Sequence, residues 1–151
     1  MAVKKTKLDE METVFAALAD QTRLRLLNLM RDEEVCVCFF TEVLNESQPK
    51  ISRHLAYLRK AGLVDSRREG KWVHYGISDR LDPMARTVLD NVLEWLGSQE
   101  VMTREHEELV AACCSLDVPV TIARAPKPEA LVEREEIARP KPEPEIETYL
   151  L

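Results

Sequence analysis

The chain has 151 residues, of which 45% are apolar and 32% charged, with a formal net charge of −6. That length suits one ordinary domain with an appendage, and no stretch reaches the roughly 18 apolar residues of a membrane span, so no membrane partner is expected. The start, MAVKKTKLDE, is basic but leads into no apolar run, so no signal peptide and a cytoplasmic location are expected; four cysteines there point to ligands or reactive thiols rather than structural disulfides.

The first element, LDEMETVFAALA (8–19), is apolar at Leu8, Met11, Phe15, Leu18 and Ala19, which is helical spacing. Asp9 followed by Glu12 reads as its capping box. Asp20 opens a second helix, DQTRLRLLNLMRD, with Leu24, Leu27 and Met30 on one stripe. FFTEVLN (39–45) gives a short third. Ser47 is the expected N-cap of a fourth, in which Pro49 sits harmlessly in the first turn and Ile51, Leu55 and Leu58 form the buried stripe. Gly62 ends it.

The period then changes from 3.6 to 2. LVDSRRE and KWVHYGIS read as two strands joined at Glu69-Gly70. Asp82-Pro83 opens PMARTVLDNVLEWLGS, whose apolar face is wider than one small core needs and so suggests a partner helix. TREHEELVAACC (103–114) is a further helix ending in Cys113 and Cys114. From Asp117 the composition shifts: six of the eight prolines lie in 119–144 among Glu and Lys. The expected division is a folded domain over 1–116 and a flexible tail over 117–151, with a short helix conceivable at 129–139.

This order predicts a mainly α fold with a small β-hairpin (α+β): a winged helix-turn-helix. Residues 50–74 hold seven basic and two acidic residues, a net of +5 that leaves the rest of the chain at −11. A basic block on an acidic chain is a phosphate footprint or else a solvated surface. The helix 47–61 offers Lys50, Ser52, Arg53 and Tyr57 opposite its buried stripe, and a helix of this size fits the major groove. Gln48, Ser52 and Arg53 are placed to read bases. Arg67, Arg68 and Lys71 around Gly70 form a wing for phosphates or the minor groove. His54 and His74 lie on these elements, where contact with DNA or packing suits them better than a metal. His106 is expected to face solvent.

LADQTRLRLLNLM, VCVC and SQPKISRHLAYLRKAGLVDSRREGKWVHY together resemble the ArsR/SmtB family of metal-sensing repressors, and most nearly its arsenical-resistance repressors. The likeness covers roughly residues 8–96. It implies a homodimer, built on the first helix and the helix after the wing, that sits on palindromic double-stranded operator DNA and leaves when a soft ion binds. Zinc-responsive relatives place Asp and His ligands on the helix after the wing, and residues 82–99 contain no histidine.

The thiols are then the candidate sensor. On a regular helix residues i and i+2 point about 200° apart, whereas in a strand they share a face. An ion held by both Cys36 and Cys38 therefore requires a non-helical segment, or unwinds one. Thiolates select soft ions. Three of them suit As(III) or Sb(III), and the position where relatives carry a third cysteine is Thr41 here. Cys113 and Cys114 are too close for a relaxed disulfide, since adjacent Cα atoms lie about 3.8 Å apart. Either one of them completes the site of Cys36 and Cys38, within the chain or across the dimer, or they form a separate two-thiol site suited to methylated trivalent arsenicals, or they are small buried hydrophobes. No constitutive cofactor is implied. The same repressor sensing Cd(II), Pb(II) or oxidants is the alternative. A small thiol enzyme fits poorly, because phosphate-cradling glycine loops, CxxC motifs and Ser/His/Asp arrangements are missing from the sequence.

Overall fold

The computed structural model of the chain describes residues 3–114 and 125–127. Helix α1 spans Lys7–Leu18. Its capping box lies three residues before the expected Asp9–Glu12 pair. The Thr6 hydroxyl accepts from the Asp9 N–H at 3.1 Å, and the Asp9 carboxylate accepts from the Thr6 N–H at 2.8 Å. Asp9 is thus the third helical residue rather than the cap, and its side chain satisfies an N–H left open at the helix start. Helix α2, Gln21–Leu29, begins as expected at Asp20, whose carboxylate accepts from the Arg23 N–H at 3.0 Å.

A two-residue strand β1, Val35–Cys36, precedes α3, Val37–Leu44. Helix α3 therefore starts two residues before the expected Phe39. It ends at Asn45, which takes the left-handed conformation at φ 50, a geometry that asparagine tolerates better than most residues. Helix α4, Gln48–Lys60, has Ser47 as N-cap and Pro49 in its first turn. Gly62, at φ +80, follows its end; the Gly62 N–H donates to Arg59 O and the Leu63 N–H to Leu58 O, closing off the last carbonyls. Ile51, Leu55 and Leu58 are wholly buried; at about 1.5–3 kcal/mol for each such side chain, this stripe anchors the helix.

Strands β2, Val64–Glu69, and β3, Trp72–Ile77, form the hairpin, with Val64 opposite Ile77 and Glu69 opposite Trp72. The sheet has a third strand that alternation did not reveal. β1 pairs antiparallel with β3, Val35 opposite Tyr75 and Cys36 opposite His74, giving the order β1-β3-β2. Two residues are too short to display a period of two.

Helix α5, Pro83–Gly97, is capped by Asp82, and α6, Glu100–Cys114, begins three residues before its expected start. Helix α6 runs antiparallel along α2: Arg25 Nη2 lies 2.6 Å from Glu105 Oε1, and Asn28 Nδ2 donates to Met102 O at 2.9 Å. Leu26, Leu27, Phe39, Phe40, Leu89 and Leu109 fill the centre, where α2, α3, α4 and α6 meet.

Two apolar stripes remain outside this core. On α1, Leu8 (73% exposed), Met11 and Phe15 face outward. On α5, Met84 and Trp95 do the same. A cleft of about 660 Å³ between these helices is lined by Met11, Val14, Phe15, Leu81, Met84 and Val88. Ala125, within the expected tail, is 7% exposed and joins the core, so at least this piece of 117–151 packs on the domain. The helix considered at 129–139 lies outside the described residues.

Candidate functional site

The basic block folds into two adjoining surfaces. On α4, Gln48, Ser52 and Arg53 are exposed. The other three residues assigned to this helix are engaged with the protein itself. Lys50 is half-buried, its Nζ 2.6 Å from Glu46 Oε1. His54 Nδ1 lies 3.5 Å from Asp20 Oδ1. Tyr57 lies beneath the Arg23 guanidinium, 4.1 Å from ring centroid to Cζ. Arg23 also donates from Nε to Ala17 O and from Nη2 to Ala16 O, at 2.7 and 3.0 Å. Asp20 and Arg23, which sequence reasoning did not single out as site residues, therefore tie α4 to the junction of α1 and α2. Burial works against the Asp20 carboxylate, but the Arg23 N–H and the His54 and Arg23 charges hold it below its ordinary pKa.

On the wing, Arg68 and Lys71 are exposed, with Lys71 Nζ 4.9 Å from the Trp72 ring. Arg67 is different. Its Nε is 2.8 Å from Glu34 Oε2 and its Nη1 3.5 Å from Glu69 Oε2. Glu34 precedes β1 by one residue, so an acidic side chain beside the thiol strand partly neutralises the wing. His74 is buried, its Nε2 3.1 Å from Glu69 Oε2 but out of line for a hydrogen bond. His106, expected to face solvent, is half-buried against α2's end, 3.8 Å from Asp32 Oδ2.

The thiol pair sits where strand becomes helix. Cys36 is the N-cap of α3, with extended backbone (φ −67, ψ 139), and Cys38 lies in the first helical turn. This junction is neither of the two geometries considered from sequence, and it brings the sulfurs together. Cys38 Sγ–H donates to Cys36 Sγ at 3.2 Å. No unwinding is needed for both sulfurs to face one point: Cys36 is extended, as the non-helical alternative requires, while Cys38 is already helical.

The donated hydrogen bond lowers the Cys36 thiol to about 7; burial opposes the shift, and the backbone N–H groups of Cys38, Val73 and Val37 assist it. The same contact pushes Cys38 up, and burial adds to it. The two thiols therefore titrate as a pair, the first proton leaving more readily than from an ordinary cysteine and the second less readily. The arrangement supplies two soft legs of a thiolate site. Among the described residues no group of three or more His, Cys, Asp or Glu could hold a metal ion. Cys113 is buried on α6 and is not gathered to the pair in such a group. Cys114 ends α6, and its side chain lies outside the described residues.

Thiols and wing share one sheet row. Cys36 is opposite His74, and His74 is opposite Arg67, so the three side chains occupy one face in succession. Val73 of β3 also supports the Cys36 thiolate through its N–H.

Residues 20–66 match the sequence profile of the family described as "Bacterial regulatory protein, arsR family". The chain is similar to the arsenical resistance operon repressor of Escherichia coli (strain K12): 42% identical over 105 residues, 69% of this chain and 88% of that one. It is also similar to the arsenic resistance transcriptional regulator ArsR1 of Pseudomonas putida, 45% identical over 100 residues, 63% of this chain and 78% of the relative. Among solved structures, HlyU from Vibrio cholerae N16961 superposes with a TM-score of 0.54 at 27% identity, covering 61% of this chain and 97% of that one.

Proposed function

The chain belongs to the ArsR family of bacterial regulatory proteins, DNA-binding repressors rather than enzymes, and from that premise we propose that it is an arsenic-responsive repressor whose effector is taken up by Cys36 and Cys38. The observation that carries the proposal is the 3.2 Å approach of two sulfurs at the junction of β1 and α3. A soft trivalent ion, As(III) or Sb(III), prefers such thiolates, and the lowering of the Cys36 thiol to about 7 raises the share of thiolate that can attack it. The relatives named for arsenic resistance favour the same effector.

The repressor works as a homodimer on double-stranded, palindromic operator DNA. Helix α4 enters the major groove, with Gln48, Ser52 and Arg53 at base edges. Arg68 and Lys71, joined by Arg67, meet phosphate. The outward stripes of α1 and α5, with Phe15 and Trp95, close on a second copy. The operator-binding unit is the 1–116 domain together with Ala125, and the rest of 117–151 is an appendage.

Release runs through the sheet. Ligation by Cys36, Cys38 and a third sulfur draws α6 toward β1 and by that pull reorients the Cys36–His74–Arg67 row, which carries the wing; loss of the Cys36 charge alone leaves the row in place. Thr41, where relatives place a third cysteine, donates to Cys38 O at 2.8 Å and offers no sulfur. The third ligand comes from Cys113 or Cys114 after a movement of α6, in the same chain or across the dimer; otherwise that pair takes a methylated trivalent arsenical of its own.

The test is operator binding with and without arsenite, for the wild type and for the Cys36→Ser, Cys38→Ser double variant. Release of the wild type and retention of the double variant are expected. Equal release of both would remove these sulfurs from the mechanism.

A further inference from the structure

We propose that Cys36 and Cys38 also form a peroxide-closed lock: a hydroperoxide joins the two sulfurs as a disulfide that leaves operator binding intact and makes the repressor deaf to thiol-seeking effectors. This deepens, and rests on, the reading of the pair as the effector site.

The sulfurs are already 3.2 Å apart with a thiol hydrogen directed from one to the other, and a disulfide bond is about 2.04 Å long. Closure therefore needs about 1.2 Å of total approach, shared by two side chains. Cys36 precedes the first helical residue, so its side chain can turn without breaking a backbone-to-backbone hydrogen bond of α3. The pairing of β1 with β3 is carried by backbone groups and survives. Solvent reaches the pair on one side: Cys36 is 1% exposed, whereas Cys38 is half-buried. Neither the α4 reading face nor the exposed wing cations depend on a sulfur.

The chemistry balances with the peroxide as oxidant. One sulfur of the pair, as thiolate, attacks the peroxide oxygen; the O–O bond breaks, a sulfenic acid forms, and the departing alkoxide takes a proton to leave as alcohol, or as water from hydrogen peroxide. The second sulfur then attacks the sulfenic sulfur. The S–O bond breaks, and its oxygen departs as water with the remaining thiol proton. Two thiols are oxidised and one peroxide is reduced. The product has no thiolate to offer a soft ion, and a thiol reductant reopens it. Oxidation is then not an inducing signal; it holds the repressor on DNA.

Full-length protein is treated with hydrogen peroxide, and the tryptic peptide 32–50, which contains Cys36 and Cys38 and no other cysteine, is weighed after alkylation. It should lose two hydrogens and take up no alkylating agent. In the Cys36→Ser variant the same treatment should leave a sulfenic acid on Cys38, the sulfur that solvent reaches, that dimedone traps. Oxidised wild type should keep its operator affinity within about threefold while the half-effective arsenite concentration rises more than about tenfold, the decade of coupling that loss of the effector's ligands removes. A dithiol should restore the response. Two alkylated sulfurs after peroxide, a disulfide to Cys113 or Cys114 instead, or departure of oxidised protein from the operator would each overturn the lock. Failure of the reduced wild type to respond to arsenite would overturn the effector reading and with it the deafness, while the peptide mass would still report closure on its own.

Discussion

A single proton decides how the thiol pair behaves. With Cys38 donating to Cys36, the Cys36 thiolate persists down to about pH 7. Below that value the pair holds two protons, and a soft ion must displace both. Arsenite enters as As(OH)3, whose hydroxides leave as water with the thiol protons, so its affinity should be level below about pH 7 and fall as pH rises above it, where binding to the thiolate takes up a proton. Replacement Cys38→Ala removes the donor. Thiolate absorbance in the ultraviolet should then rise at a midpoint nearer the ordinary cysteine value of about 8.5; an unmoved midpoint would show that the backbone N–H groups alone hold the anion. Arg53 stands exposed on α4 with no ion-pair partner among the described residues. Arg53→Ala should cost about 1–3 kcal/mol of operator affinity if it contacts a base. Lys50→Ala should cost less, because its charge is already held by Glu46 at 2.6 Å. Competition binding with the two variants ranks them.

Elements differ in how much of their charge is free to act. Arg68 of β2 faces solvent, whereas Arg67 beside it is held by Glu34 and Glu69. Removing a phosphate contact flattens the dependence of log K on log salt by close to one unit. Arg68→Ala should show that flattening in a salt series and Arg67→Ala a smaller one. Glu34→Gln should release Arg67 and tighten operator binding, most visibly at low salt; unchanged affinity would mean that Arg67 does not reach the DNA. The same corner is tightly packed. A Cβ on Gly76 of β3 would stand 3.0 Å from Glu34 Cγ and 3.4 Å from its Cα. Gly76→Ala should push this loop off the sheet, costing about 1–3 kcal/mol as overpacking does, with a lowered urea midpoint as the measure.

At the scale of the whole molecule, the apolar stripes of α1 and α5 are the surfaces that one chain leaves uncovered. Phe15 is 53% exposed and Trp95 73% exposed. Burial against a second copy removes that area from water at about 25 cal/mol per Å². Phe15→Glu should leave the fold of a single chain unchanged, since the side chain packs little within it. It should shift the protein to monomer in sedimentation and weaken operator binding steeply, because two half-sites are then read separately. A stable dimer in this variant would move the interface elsewhere. Ala125 predicts a second difference: a chain ended after Leu116 should melt slightly below one ended after Lys127, for want of the small core contact that Ala125 fills.

What sequence alone determined are the features written in neighbouring residues. The Asp20 and Ser47 caps, the Ile51–Leu55–Leu58 stripe and the turn at Gly70 each rest on contacts within a few positions, so their residue types announce them. The basic block and the paired cysteines were legible for the same reason, as was the winged helix-turn-helix they belong to. Tertiary structure decided the rest, because it depends on partners distant in the chain. β1 is too short to show alternation and exists only because β3 pairs with it. That pairing keeps Cys36 extended at the mouth of α3, which turns two residues of unfavourable helical spacing into sulfurs 3.2 Å apart. Long-range contacts also determined which cations stay free: Arg67 meets Glu34 across 33 positions, a neutralisation that no local pattern encodes. On α1 the spacing of Leu8, Met11 and Phe15 specified a stripe correctly, but only the packed fold could set whether it faced the chain's own core or another molecule, since periodicity fixes a face and not what covers it.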